Sequence, residues 1–452
     1  MEYTISLDNL KRTLKKEEDK LPMFSRTPES WSKFTVDKNG TTFYYSNFDN
    51  GLYDENKNPL TKVAQPDHNY IQIISETRSR VKTDKPYWIR ILLGHACNYS
   101  CSYCMQKDIG NPDERAKITT TDYFIEQLNK LDFSRLTKID LWGGETLLYW
   151  KTIEEIMTKF DREGLEWYIP TNGTPLQMKH VEFFSKLKGK VGIGISHDGP
   201  GHVALRGEEF LHKKVEVLKA LQKSGIQFSF NPVISKTNYD LFEINKFFYD
   251  YCVENGIDTK PIGISWTLGH NHDYENIHNS ADHVIGGESL EKFGVILRQY
   301  LDKCIEQYFG GVDHKLMNNA LFHGGMGVLP YIDTLKQQIL PTTTTSCGVD
   351  DEGVLSVDMK GNVRTCPHTD ESFIGGHLEA LDQVKLKNVD LDRYERHCKS
   401  CSVFRLCKSN CPIQVPDDVF YSNCAIEKVY HRAIQETAFK ILFKSPVTLH
   451  ET

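Results

Sequence analysis

The chain has 452 residues, 39% of them hydrophobic and 25% charged, with a formal net charge of -7. It is globular in composition and long enough for two or three domains, and no stretch approaches the length of a membrane span, so a helical integral membrane protein is excluded. The charges form no long runs, which leaves no electrostatic case for a nucleic-acid or membrane partner.

The N-terminus, Met1 to Ser6, lacks the basic and apolar regions of a signal peptide, so a cytoplasmic location is expected. In that compartment twelve cysteines argue for metal ligation rather than disulfides. Residues 5–20 read as a charged helix, and Phe34 to Tyr45 as two strands around the Asn39-Gly40 turn. A turn-rich piece follows at Asp54 to Pro59. Residues 1–85 form a separate layer or a small domain.

From Tyr87 the pattern repeats. Apolar strands are expected near 87–93, 137–142, 166–171, 191–196, 227–234 and 262–267. Between them lie amphipathic helices: Ile153, Ile156, Met157 and Phe160 share one face ahead of Gly164, and Leu211, Val215, Leu218 and Leu221 another ahead of Gly225. Six strand-helix units predict an α/β fold, a parallel sheet curved into a partial (β/α)6 TIM barrel over residues 86–285.

The polar oddities fall at the carboxyl ends of these strands, where parallel barrels place their chemistry. Cys97, Cys101 and Cys104, spaced C-x3-C-x2-C, follow the first strand. Gly143-Gly144-Glu145 follows the second, Thr171-Asn172-Gly173 the third, and Ser196-His197-Asp198-Gly199-Pro200 the fourth. Asn231 lies in the fifth strand, and Ser265-Trp266-Thr267 ends the sixth. Three thiolates on so short a loop can converge on one soft metal centre and leave a fourth position open, whereas a structural zinc site uses four protein ligands. Asn172-Gly173 reads equally as a turn, and Asp198-Gly199-Pro200 as a loop.

Residues 268–285 are rich in His, Asn and Asp without a spacing that closes a metal site. A helical bridge over 286–345 is expected next, with Leu290, Phe293, Leu297, Leu301, Cys304 and Tyr308 on one face. Cys304 there, and Cys252 on the stripe of Leu241, Ile244 and Phe248, read as core. The other seven cysteines follow as Cys347-x13-Gly361-x4-Cys366, then Cys398-x2-Cys401-x5-Cys407-x3-Cys411, then Cys424. A zinc ribbon over Cys398 to Cys411 is the alternative for part of this pattern.

The loop at Cys97, with Tyr103 before its last cysteine, resembles the signature of the radical SAM enzymes, and the seven-cysteine pattern resembles their C-terminal SPASM domain. The resemblance spans about residues 87–430. It implies a 4Fe-4S cluster on Cys97, Cys101 and Cys104 whose open iron chelates S-adenosylmethionine (SAM), and one-electron cleavage of SAM to a 5'-deoxyadenosyl radical. Gly143, Gly144 and Glu145 resemble the Gly-Gly-Glu-Pro motif that binds the methionyl amine, with Thr146 in place of proline. Ser196 and Asp198 resemble the Ser-x-Asp-Gly-Pro motif facing the ribose, and Arg206 the arginine that pairs with the SAM carboxylate. Tyr103, Thr171, Asn172 and Asn231 complete the expected SAM-binding set.

Carried over by position, Cys398, Cys401, Cys407 and Cys424 would hold one auxiliary 4Fe-4S cluster. Cys347, Cys366 and Cys411 would hold a second that lacks a fourth cysteine, within a SPASM domain over 346–430 followed by a C-terminal helix and tail at 431–452. The family then implies a precursor-peptide substrate, an external one-electron donor such as flavodoxin or ferredoxin, and installation of a thioether or carbon-carbon crosslink. Residues 1–85 would be either a cap on the barrel or a leader-peptide recognition module. Oxidation of Ser or Cys to formylglycine, as in sulfatase-maturating enzymes, is a second expectation, weakened because Pro367 and His368 follow Cys366 where that group has an aspartate base. Another dehydrogenation, or a non-catalytic iron-sulfur or zinc scaffold, stands behind it.

Overall fold

The computed structural model describes residues 31–47, 50–60, 81–106, 109, 121–270, 283–317, 327–337, 347–368, 371–386, 398, 401–408, 411 and 417–450. The helix expected over 5–20 and the loop segment 271–282 lie outside these. Strands β1 (Trp31–Val36), β2 (Thr41–Ser46) and β3 (Gly51–Tyr53) open the chain, and β1 and β2 pair antiparallel across the Asn39-Gly40 turn. Six parallel strands follow in sequence order: β4 (Trp88–Leu92), β5 (Lys138–Trp142), β6 (Glu166–Thr171), β7 (Lys190–Ile195), β8 (Gln227–Phe230) and, after the short β9 (Val233–Ile234), β10 (Gly263–Ile264). Beyond them lie β11 (Thr267–Leu268), β12 (Val354–Asp358), β13 (Asn362–Arg364), β14 (Ile374–His377) and β15 (Val447–His450).

The alternation along the parallel strands decides what each face does. Ile89 and Ile91, Ile139 and Leu141, Trp167 and Ile169, and Ile193 and Ile195 share the face buried under the helices. Arg90, Asp140 and Tyr168, paired in register, share the other face. That interior is polar: Arg90 Nε lies 3.7 Å from Asp140, Lys138 Nζ 3.4 Å from it, and the Arg90 guanidinium 3.9 Å from the Trp88 ring. The outer helices are α1 (Thr121–Leu128), α2 (Trp150–Phe160), α3 (Met178–Phe184), α4 (Val215–Lys223) and α5 (Leu241–Glu254). Asp240 caps α5 by accepting from the amides of Phe242 and Glu243.

Two long-range pairings tie the rest of the chain to this sheet. Strand β12 adds in parallel to β4, and β13 and β14 continue antiparallel, giving a nine-stranded sheet among the described residues. The Lys82 ammonium fixes the turn ahead of β12 by donating to the carbonyls of Val349 (3.0 Å), Asp351 (2.5 Å) and Val354 (2.8 Å). Burial pulls its pKa down to about 8, against the opposing pull of Asp351.

Helix α6 (Glu288–Gly310) precedes α7 (Val328–Gln337), and α8 (Asp417–Phe443) packs along α6. Phe293, Leu297, Leu301 and Cys304 of α6 are buried as expected, as is Cys252 on α5, but Tyr308 is exposed near the helix end. The opening hairpin does not stand alone either. Strand β15 pairs with β1, and Phe34, Phe43 and Tyr45 pack their rings around Phe439 of α8. No helix of the described residues is long and apolar enough to cross a membrane.

Candidate functional site

The carboxyl ends of β4 to β8 surround a cavity of about 700 Å³. Its wall holds Cys97, Cys101 and Cys104 together with Tyr103, Gly143, Gly144, Glu145, Thr171, Asn172, Ser196, Arg206 and Asn231. Short segments from separate strands thus meet where the barrel pattern places a site. Asp198, also expected there, stands behind the wall and is fully buried.

The cysteine loop is held from three sides. Ala96 donates its amide to the Tyr149 hydroxyl (2.8 Å), Asn98 donates to Thr174 and accepts from Asn172, and Ser102 donates its amide to the Leu205 carbonyl (2.9 Å). Gly144 lies so close to the start of the loop that a Cβ there would come within 2.3 Å of the His95 carbonyl oxygen. A turn between Cys101 and Cys104 brings their ends together, the Cys104 amide donating to the Cys101 carbonyl at 3.1 Å. Amides of Tyr99 and Gln106 donate to the sulfurs of Cys97 and Cys104, at 3.4 Å each. Burial raises the Cys97 thiol and pushes Cys101 up to about 12; Glu145 and Cys104 raise Cys97 further, and Cys104 and Cys97 raise Cys101. Buried thiols that resist ionisation together are relieved by a cation that binds all three.

Glu145 is spent inside the protein. Its carboxylate accepts from the Leu147 amide (2.9 Å), the Thr171 hydroxyl (2.6 Å) and the Asn172 amide (2.6 Å), so it joins the second and third strand loops. Burial raises its pKa and these donors oppose the rise. Asp198 accepts from Arg206 Nε (2.8 Å) and Nη2 (3.2 Å), the Tyr103 hydroxyl (2.7 Å) and the Val233 amide (2.8 Å). Two residues that the resemblance sends to different ends of a ligand are therefore joined to each other. Arg206 also lies 5.3 Å from the Tyr103 ring and opposes the burial of the Cys101 thiol, so its charge faces the cysteine loop. Asn231 donates to the Tyr168 hydroxyl (2.8 Å); Gly194 leaves room for both, since a Cβ there would meet the hydroxyl at 2.2 Å. His197 is not near the thiols; it bonds Glu209 at 3.0 Å and stacks on His202.

The C-terminal cysteines gather in two groups. Burial holds Cys407 well above the usual thiol range, and Cys401, Cys424 and Cys398 add to the rise. Burial pushes Cys366 up to about 12, with Cys411 and Cys347 adding to it. Cys398, Phe404 and Phe420 form an apolar cluster against which Cys366, Cys401, Cys411, Cys424 and Met105 pack. Four soft donors fit a closed four-iron centre; three fit one with a position left over. Tyr168, given no role from the sequence, also lines the cavity, as do His95, His270 and His283 of the His-rich loop, and His368. His368 had been marked only for following Cys366, and its ring stands edge-on to Trp142 at 4.7 Å.

Comparison with known proteins agrees with this geometry. Residues 91–245 match the Radical SAM superfamily. Over 362 residues the chain is 23% identical to the radical SAM cyclopropyl synthase TigE of Paramaledivibacter caminithermalis, covering 74% of this chain and 69% of that protein. It is 24% identical over 222 residues to the GTP 3',8-cyclase of Mannheimia succiniciproducens, covering 47% of this chain and 63% of the cyclase. Among solved structures, histidine-tagged anSMEcpe with bound AdoMet superposes at a TM-score of 0.52 with 18% identity, over 79% of this chain and 97% of that one. Native anSMEcpe with AdoMet and the Cp18Cys peptide gives 0.51 at 17% identity, over 78% and 99%. The parallel barrel with a cavity at its carboxyl edge, and the match over residues 91–245, liken this part of the chain to the Radical SAM superfamily.

Proposed function

We propose that the chain is a SPASM-type peptide maturase that uses SAM to start radical chemistry on a ribosomally made peptide and installs an oxidative crosslink, thioether or carbon-carbon. The observation that carries this reading is the convergence of Cys97, Cys101 and Cys104 on the wall of a cavity large enough for SAM and a substrate side chain. Cys97, Cys101 and Cys104 would hold a four-iron cluster there, which would supply one-electron reduction of SAM. The chain's own residues do the rest. Arg206, fixed by Asp198, offers a permanent positive charge beside the loop for a ligand carboxylate. Thr171, Asn172, Ser196 and Asn231 offer hydrogen-bonding groups from successive strands, and Glu145 keeps two of those loops in register. The two C-terminal cysteine groups, set in apolar surroundings, suit auxiliary clusters that accept an electron from the substrate.

Support for a peptide substrate comes from anSMEcpe, which is seen with a bound peptide; TigE is named a cyclopropyl synthase. The test is anaerobic incubation of reconstituted protein with SAM and a precursor peptide encoded nearby, deuterated at candidate residues. A product lighter by about two mass units, with deuterium in 5'-deoxyadenosine, is expected for an oxidative crosslink. An unchanged peptide, with deuterium taken only from a small metabolite, would overturn the peptide reading.

A further inference from the structure

Glu427 lies on α8, one turn beyond Cys424, and is 6% exposed. Its two carboxylate oxygens are 2.8 Å from His270 Nε2 and 2.8 Å from His431 Nε2. The ligand atoms of Cys407, Glu427 and His431 all lie within 4.8 Å of one another. On the other side, His270 belongs to the wall of the barrel cavity. Tyr430 bonds Trp266 from the sixth strand, which docks the same stretch of α8 on the barrel. None of this is visible in the sequence, where His270, Cys407 and Glu427 come from three distant segments.

We infer that Glu427 is a positioning residue for redox chemistry: a fixed, buried negative charge that holds the iron-sulfur centre on Cys407 at a lower potential than its ligands alone would set. The inference rests on the reading of Cys398, Cys401, Cys407 and Cys424 as one cluster. Reduction adds negative charge to a cluster, and a carboxylate within 4.8 Å of a ligating sulfur, in a site with little water to screen it, opposes that addition. The His270 and His431 rings flank the carboxylate, each with Nε2 2.8 Å from one oxygen. Because His270 also forms part of the cavity wall, the same residue pair spans the distance between substrate and electron acceptor.

The experiment is an EPR-monitored redox titration of the reconstituted holoenzyme and of Glu427→Gln and Glu427→Asp. The signal that Cys407→Ser removes or alters identifies the centre. With full iron and sulfide content, Glu427→Gln should move that signal's midpoint to higher potential, Glu427→Asp should restore it most of the way, and the signal perturbed by SAM should not move. An unmoved midpoint in a fully loaded Glu427→Gln protein overturns the inference and leaves the cluster assignment standing. Loss of the cluster from both Glu427 variants overturns it too, since the residue would then be merely structural. If Cys407→Ser alters no signal, the assignment itself fails, and the inference with it.

Discussion

Two of the cysteine groups contain the same local turn. Cys101 with Cys104, and Cys398 with Cys401, close three-residue steps in which the later amide donates to the earlier carbonyl at 3.1 Å. What differs is what surrounds them. The barrel loop opens on a cavity lined by Asn172, Ser196, Arg206 and Asn231, and a guanidinium faces its sulfurs. The other turn sits among Phe404, Phe420 and further cysteines drawn from separate segments. The same turn therefore stands in two settings, one on the wall of a cavity and the other, among the described residues, against an apolar cluster.

Removing a thiol from each turn tests this contrast most severely. Cys101→Ala should abolish SAM cleavage, because the ligand loses its iron, while about eight of about twelve iron atoms remain in the C-terminal groups. Nucleoside analysis by chromatography together with iron and sulfide determination reads both. Cys401→Ala should give the opposite: SAM is still cleaved to 5'-deoxyadenosine without coupling to product, and the crosslinked peptide disappears. Equal loss of both activities in a well-folded Cys401→Ala protein would erase the distinction between the two groups.

A smaller effect is expected from the charge that marks the open site. Asp198→Asn leaves Arg206 in place but removes the negative charge that fixes it, along with one of the two oxygens that accept from Tyr103 and Val233. Breaking a buried pair from one side costs about 3–5 kcal/mol of stability. SAM binding should weaken by about tenfold or more, corresponding to about 1.4 kcal/mol, while iron content stays full. Equilibrium binding of SAM to the loaded protein measures this directly, and unchanged affinity would show that Arg206 needs no partner to hold its place.

The barrel was legible because its signals are local. Runs such as Trp88 to Leu92 and Lys190 to Ile195 alternate or fill with apolar residues, and each ends at a motif whose position along its own strand says which end of the barrel it occupies. Whatever depends on distant segments meeting was not legible. The parallel pairing of β12 with β4 joins residues far apart in sequence, and so does that of β15 with β1, through strands too short to announce a partner. The Asp198-Arg206 pair is a different case. Both residues were marked, eight positions apart, but assigned to a ligand rather than to each other, since a motif names residues and not the direction of their side chains. His270 belonged to a loop set aside for want of ligand spacing. Its counterpart Glu427 drew no notice on a helix, where carboxylates are usually solvated.

The least expected effect concerns how the closed turn is held. The open loop is braced by barrel residues such as Tyr149, Asn172, Thr174 and Leu205, whereas the backbone at Cys401 leans on the opening hairpin: Asn47 donates its side-chain amide to the Cys401 carbonyl (2.7 Å), and Arg405 donates to the Asn47 carbonyl (2.7 Å). That hairpin is held in turn by β15 and by the rings around Phe439. Asn47→Ala removes one of the two bonds and should cost about 1 kcal/mol, read as a small fall in the thermal midpoint. It should slow reconstitution of the C-terminal iron more than that of the cluster on Cys97, Cys101 and Cys104. If all iron assembles at the wild-type rate, the hairpin does not brace the cysteine turn, and its contact with Cys401 is packing alone.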